Sequence, residues 1–394
     1  MTVRITKPEF NLREKLSELD RPVGLHGNQI LKSETPQDTF DIVGTARKNL
    51  VINGGMTVSQ RASSNEVTPS HTDYGPDRMR FDLSQSSKLK VQQVTDAPAG
   101  FSHSMKVTSL SAYSSSSGDY FLLQNMIEGT DAARLKWGTS EAQPVTLSFY
   151  VRSSIAGMHA CGIRNNNYTR GITQRYEINT PNTWERKTVT FPGCPNGTWE
   201  KTTSAGLKIN FDLGSGSTFE ASSTGDWKST NDFITSDSVK IVGTNAATWY
   251  ITGIQLETGR VATPFEHRSI AEELQLCHRY YIKFRGAVGG GGGYGSAGDG
   301  AIATLANWTN TGAYGPIFLG TTMRYAPTMT GYGDVNYFSA GQTFRPSGSQ
   351  MYLAGSARNR VEITIQSMTG MSQGNAGWLR IDATGGYMSF DADY

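Results

Sequence analysis

Two pairs of acidic residues have the types that sugar cleavage requires, because a glycosidase sets one carboxyl to protonate the leaving oxygen and a second across the ring. Glu272 and Glu273 are neighbours in a helical pattern and so diverge, while Asp391 and Asp393 share one face of the terminal strand pattern YMSFDADY. Solvated surface is the expectation for both pairs. Asp77 and Arg78, in the turn-like YGPDRMRFDL (74–83), read as a structural ion pair at a sandwich edge. GMSQG (370–374) matches the G-x-S-x-G of hydrolase elbows, but NAGWLRID follows it and reads as loop and strand, so Ser372 lacks a nucleophile's setting. The histidines, His26, His71, His103, His159, His267 and His278, show no metal-ligand spacing. Cys161, Cys194 and Cys277 form no C-x-x-C pair; buried free thiols are expected, with a Cys161–Cys194 bridge as the alternative. No catalytic residue, metal site or cofactor emerges, and the chain reads as a binding or structural protein. Aromatic rings in polar loops suit that role, since the C–H faces of sugars stack on them. Trp199 in NGTWEKT, Trp227 in TGDWKST, Trp308 in NWTNTG and Tyr332 in TGYGD are the candidates, set against the common use of Trp as core filler.

The elements that would carry these loops are strands. The chain has 394 residues with 44 Gly, 37% hydrophobic and 18% charged residues and a net charge of +2. Abundant Gly, Ser and Thr between short alternating runs favour an all-β fold, and the balanced charge offers no basic face for nucleic acid. No apolar run approaches the ~20 residues of a membrane helix, so membrane insertion is not expected. Nor does the chain open on a signal peptide. Between 86 and 258, nine strand candidates recur: KLKVQQVT, SMKVTSL, DYFLLQNMI, VTLSFYVRS, TQRYEIN, ERKTVTF, GLKINFDL, DSVKIVG and WYITGIQLE. Turn clusters such as YSSSSGD and PGCPNGT separate them. Nine strands in two sheets fit a jelly-roll-like β-sandwich over 48–283, and only RLKWGTS (134–140) suggests a helical turn. FRGAVGGGGGYGSAGDG (284–300) reads as a linker or loop and lacks the Lys-Ser or Lys-Thr of a phosphate cradle. Beyond it, 301–394 form a second β-rich domain, with AIATLANW, GPIFLGTTMRY, RVEITIQSM, GWLRIDATG and YMSFDADY. At the other end, EFNLREKLSELD sets Leu12, Leu16 and Leu19 on one stripe of a short N-terminal helix that needs a partner to be stable. Pro- and Gly-punctuated residues continue it as an arm to 47.

The stretch WYITGIQLETGRVATPFEHRSIAEELQLCHRYY (249–281) joins these parts. Trp249, Ile251 and Gly253 alternate with Tyr250, Thr252 and Ile254 as in a half-buried strand; Gly259 ends it, and Ser269 caps a helix carrying Ile270, Leu274 and Cys277. Its segments ITGIQLETGRVATPFEHRS and EELQLCHRYY resemble a signature of tail-fibre and other virion proteins of tailed bacteriophages. KNLVINGGMTVSQR (48–61), DAPAGFSHSMKVT (96–108), VTLSFYVRSS (145–154) and NTWERKTVTFPG (182–193) are similar to the same family in the same order.

That resemblance implies a jelly-roll sandwich in a virion structural or receptor-binding protein, made in the bacterial cytoplasm and located in the virion. The expectation is a homotrimeric tail fibre that meets other virion proteins through Leu12, Leu16 and Leu19 and recognises host-surface polysaccharide. A decoration protein without a ligand and a polysaccharide-degrading tail enzyme are the alternatives.

Overall fold

Alternating runs between residues 80 and 258 form ten strands: β1 (Arg80–Leu83), β2 (Leu89–Val94), β3 (Ser104–Ser109), β4 (Phe121–Glu128), β5 (Val145–Ser153), β6 (Gly157–Asn165), β7 (Gly171–Ile178), β8 (Glu185–Phe191), β9 (Ala205–Asp212) and β10 (Thr248–Thr258). The structure, a computed structural model, describes residues 47–61, 66–285, 300–381 and 386–394 with a few isolated positions before them. The expected helix of Leu12, Leu16 and Leu19, and most of 284–300, lie outside the described residues. Hydrogen bonding sorts the strands into two antiparallel sheets, β1-β4-β9-β6-β7 and β2-β3-β10-β5-β8. Without β1 and β2, and counted from β3, the orders become 2-7-4-5 and 1-8-3-6. That interleaving, in which the chain crosses between sheets as it winds inward, is the eight-stranded jelly roll with its two Greek keys. Phe149 on one sheet meets Tyr176 and Phe211 on the other with ring centroids 5.0 Å apart in each pair, so the layers share one core.

β10 shows how local sequence sets this core. Trp249 and Ile251 are fully buried, as their alternation predicts, but Ile254 and Leu256 are buried too. Gly253 adopts φ +64°, and the register against β5 shifts between Thr252 and Gln255. The bulge inserts one residue and returns Ile254 to the core face. The NLVINGG segment then docks on it: Leu50 N–H donates to the Leu256 carbonyl at 2.9 Å, Ile254 N–H to that of Gly54 at 3.0 Å, and Asn49 Nδ2 to that of Ile254 at 3.0 Å. A Cβ on Gly54 would lie 2.1 Å from the Ile254 oxygen. Gly54→Ala should therefore destabilise the protein by about 1–3 kcal/mol or more, read as a lower urea midpoint at unchanged slope.

Two expectations fail for identifiable reasons. β6, GMHACGIRN, lies between β9 and β7 but carries two glycines and one β-branched residue, so no strand propensity marks it. DSVKIVG is not a strand: Val239 and Val242 donate to the Met158 and Leu213 carbonyls from an irregular segment. The helix α1 (Ile270–His278) forms as expected, with Ser269 Oγ accepting the Glu272 N–H at 3.2 Å. It buries Glu273, which takes the Asn53 N–H at 2.5 Å and lies 3.5 Å from Arg268. Glu273 is therefore part of the junction and not solvated surface.

Asp212, at the end of β9, is buried and accepts the Gly214 and Ser215 N–H groups at 3.1 and 3.0 Å. Burial outweighs these bonds and pushes its carboxyl up to about 6. A raised acid binds more protons folded than unfolded, so stability should fall as pH rises from about 4 to 6 and level off above. The expected span is about 3 kcal/mol. Urea midpoints across that range check it, and Asp212→Asn should remove the slope.

The remaining strands are β11 (Tyr281–Arg285), β12 (Gly300–Asn307), β13 (Ala313–Phe318), β14 (Thr328–Gly333), β15 (Val335–Ser339), β16 (Gln342–Phe344), β17 (Met351–Ala357), β18 (Arg360–Ile365), β19 (Ala376–Ile381) and β20 (Tyr387–Asp391). They make a three-stranded sheet, β11-β20-β14, and a seven-stranded sheet, β16-β15-β19-β12-β13-β18-β17, around a second hydrophobic core. β11 spans the boundary expected at residue 283 and pairs with the terminal strand, so the second sheet begins before the Gly-rich stretch.

Candidate ligand-binding face

The seven-stranded sheet has one committed face. Leu305, Ile317, Tyr337, Ile363, Leu379 and Ile381 point into the second core, each 1% exposed or less. Strand alternation sends their neighbours outward: Phe338 on β15, Trp378 on β19, Thr304 on β12, Tyr314 and Phe318 on β13, Thr364 on β18 and Tyr352 on β17. Trp378 and Tyr314 are each 51% exposed and Phe318 70%, which is unusual for rings of this size. They are not scattered. In the sheet order, Trp378, Tyr314 and Tyr352 stand on every second strand; Tyr314 and Tyr352 are level through Thr364, about 9.5 Å apart, while Trp378 is level with Thr304, two residues along β12 from Ala306, the partner of Tyr314.

Two threonines lie between the rings. Thr304, opposite Trp378, is exposed, whereas Thr364, the cross-strand partner of both Tyr314 and Tyr352, is covered at 6% exposure. Phe338 stacks against Trp378 at 6.2 Å and 18°, and Trp308 sits edge-on to Tyr314 at 6.5 Å. At the β17–β18 edge a shallow cleft of about 220 Å³ is lined by Gly355, Ser356, Ala357, Arg360 and Glu362, with Arg360 and Glu362 paired at 3.6 Å. The face thus offers ring surfaces, the Thr304 hydroxyl and one charged pair, a set suited to holding a polyhydroxylated chain.

Of the rings singled out from sequence, Trp308 belongs to this face. Tyr332, on β14, is half-buried against the second core. Trp199 and Trp227 lie elsewhere: with Trp137 they form a cluster with centroids 4.7, 5.1 and 5.5 Å apart, and their indole N–H groups donate to the Asn196 and Pro192 carbonyls. Trp199 is 8% exposed, so its ring fills the sandwich and is not open to a sugar. Sequence reasoning missed Tyr314, Tyr352 and Trp378. A signal existed in AYGPIF and AGWLRI, where Ile317 or Leu379 and Ile381 claim the core and leave the aromatic set outside.

The acidic pair Asp391 and Asp393 is also not simple surface. The Asp393 side chain is 2% exposed and accepts from Arg78 and, at 3.3 Å, from Arg61, which reaches Asp391 at 2.9 Å. The Arg78 guanidinium lies 3.5 Å over the Tyr280 ring. Burial alone would raise the Asp393 carboxyl, but Arg78 and Arg61 outweigh it and hold it below the usual range. Nearby, Glu128 accepts from Arg279 at 2.6 and 2.8 Å and from Tyr280 Oη at 2.7 Å. Asp77 and Arg78 find different partners, since Asp77 accepts from Gln60 at 2.8 and 2.6 Å. These groups tie the first sandwich to the terminal strand and are spent on structure. Ser372 lies in the loop before β19, where its carbonyl takes the Asn307 side chain at 3.0 Å. The three cysteines are buried free thiols, and burial pushes Cys161 and Cys277 far up.

No protein-family model matches the chain, and no curated protein sequence does. Among solved structures, the chain is similar to the enzymatically active domain of tailspike protein 4 of bacteriophage CBA120, at 13% identity and TM-score 0.29, over 54% of this chain and 21% of that one. It is similar to the carbohydrate-binding module TmCBM61 in complex with β-1,4-galactotriose, at 9% identity and TM-score 0.28, over 54% and 100%. The family 11 carbohydrate-binding module of a Clostridium thermocellum cellulosomal cellulase matches at 11% and 0.25, over 52% and 99%. The chain spans about a fifth of the tailspike domain's length. At these scores the function has to be read from the chain's own residues.

Proposed function

We propose that this chain is a non-enzymatic virion appendage protein of a tailed phage, whose C-terminal sheet face binds host-surface polysaccharide across its strands. The observation that carries the binding is the set of exposed rings on alternate strands, Tyr314 and Tyr352 level with each other and Trp378 two residues off their line. Each ring gives a stacking platform and Thr304 an open hydroxyl beside Trp378, which is binding without a cleavage step.

The virion reading draws on the phage-like sequence signature. Two of its separated pieces meet, with Asn49 N–H donating to Glu266 at 2.7 Å and Arg268 to the carbonyls of Asn49 and Val51 at 2.6 and 3.2 Å. Attachment falls to the Leu12, Leu16 and Leu19 stripe. Assembly as a homotrimer multiplies weak contacts into avidity, and light scattering on the full chain should return three times 42.9 kDa.

The test is retention of full-length protein on immobilised host capsular polysaccharide and lipopolysaccharide, with reducing ends assayed in the same tubes. Retention without release is the expected result. No retention on either sinks the glycan reading, and release of reducing ends replaces it with an enzyme.

A further inference from the structure

We infer a second binding site, for the end of a neutral sugar chain, in a cleft that shares no residue with the aromatic face. The cleft has a volume of about 420 Å³, within the range of small-molecule sites. It is built by segments far apart in the chain: Arg61, the Val67–Tyr74 turn, and Asp391, Asp393 and Tyr394 of the last segment.

Its walls are held before any ligand arrives. Arg61 is clamped between Asp391 and Asp393, and its guanidinium lies 4.1 Å over the Tyr74 ring and 3.9 Å over Tyr281. Asp73 accepts the Ser70 N–H at 2.7 Å, which fixes the turn, and Tyr74 Oη donates to the Tyr394 carbonyl at 3.3 Å. A rigid polar wall spares a ligand the cost of ordering it.

The charge selects the ligand class. Asp73 and Asp391 face the cleft, with Arg61 between them and the covered Asp393, whose side chain is 2% exposed and is neutralised by Arg61 and Arg78, so phosphate, sulfate or a uronate would meet two open carboxylates and a guanidinium already engaged. Among the described residues no three His, Cys, Asp or Glu side chains are grouped to hold a metal. What remains is a neutral polyol: the Asp73 and Asp391 carboxylates accept from its hydroxyls, Thr68 and Thr72 both donate and accept, and Val67 and Pro69 offer apolar contact.

The experiment uses the full chain, titrated calorimetrically with glucose, galactose, mannose, N-acetylglucosamine and, as the anionic control, glucuronate. At least one neutral sugar should bind, and glucuronate at least about tenfold more weakly than glucose where glucose binds. Thr68 is exposed at the cleft, so Thr68→Trp should block it, lowering affinity at least about tenfold while the melting midpoint holds. Asp73→Asn, which keeps the shape, should weaken binding several-fold, and serves alone if Thr68→Trp does not fold. Trp378→Ala should leave this binding unchanged. The inference is overturned if no neutral sugar binds, if glucuronate binds as tightly, if both cleft variants bind normally, or if Trp378→Ala abolishes the signal. In the last case the aromatic face stands and the cleft does not.

Discussion

Asp393→Ala should destabilise the folded protein by about 3–5 kcal/mol, the loss expected when one partner of a buried ion pair is removed. The Asp393 and Arg78 side chains are each 2% exposed and that of Arg61 14%. Removing the carboxylate leaves two guanidinium groups facing rings and carbonyls with their nearest buried counter-charge gone. Among the described residues Arg78 then keeps the Met126 carbonyl as its hydrogen-bond acceptor, at 2.5 Å, and Arg61 keeps Asp391, which is a quarter exposed. The measurement is urea unfolding of the full chain at neutral pH. The double variant Arg78→Met, Asp393→Leu should recover most of the loss, because the cost lies in the stranded charge and not in a missing attraction. If Asp393→Ala unfolds within about 1 kcal/mol of the parent, the network is not a stabilising hub. The pH behaviour follows from the depressed carboxyl. Its contribution is fully present above the ordinary aspartate value of 3.8 and is lost as pH falls through the lower folded value. Asp393→Ala should therefore flatten the acid limb of the stability profile. Asp212 acts in the opposite sense at higher pH, so the two variants reshape different parts of the same curve.

What the sequence made legible is what local rules govern. Alternation found β10, the Ser269 hydroxyl marked the start of α1, and Gly259, with φ +108°, ended the strand before it. The jelly roll followed from strand number and turn spacing. What stayed hidden depends on contacts between distant residues. β6 owes its place to β9 on one side and β7 on the other, and its own residues carry little preference for extended chain. Asp391 and Asp393 look like a solvated tail until Arg61 and Arg78, more than 300 positions earlier, fold onto them. The tryptophans show the same limit. NGTWEKT and NWTNTG are alike as loops, yet Trp199 finds two other indoles to bury against, and Trp308 finds the open end of the central strand β12.

Trp378→Ala and Tyr314→Ala should each weaken polysaccharide binding by about 1–2 kcal/mol, roughly five- to thirtyfold, without lowering the unfolding midpoint. The stability clause follows from exposure: each ring already faces water, so removing it opens no cavity. The row also makes a stronger prediction through coupling. Trp378 and Tyr352 stand four strands apart, about 19 Å, and touch different units of an extended glycan, so their losses should add. Trp308 and Tyr314 contact each other at 6.5 Å. Each holds the other's orientation, and the double variant should lose less than the sum of the singles. Additivity between Trp378 and Tyr352 together with coupling at the Trp308–Tyr314 contact is the signature of a chain lying across the strands. A ligand confined to one ring would make the Tyr352 variant silent, and a docking protein that buried the whole face would couple all of them. If all four variants stay folded and bind polysaccharide like the parent, the aromatic row is not the site.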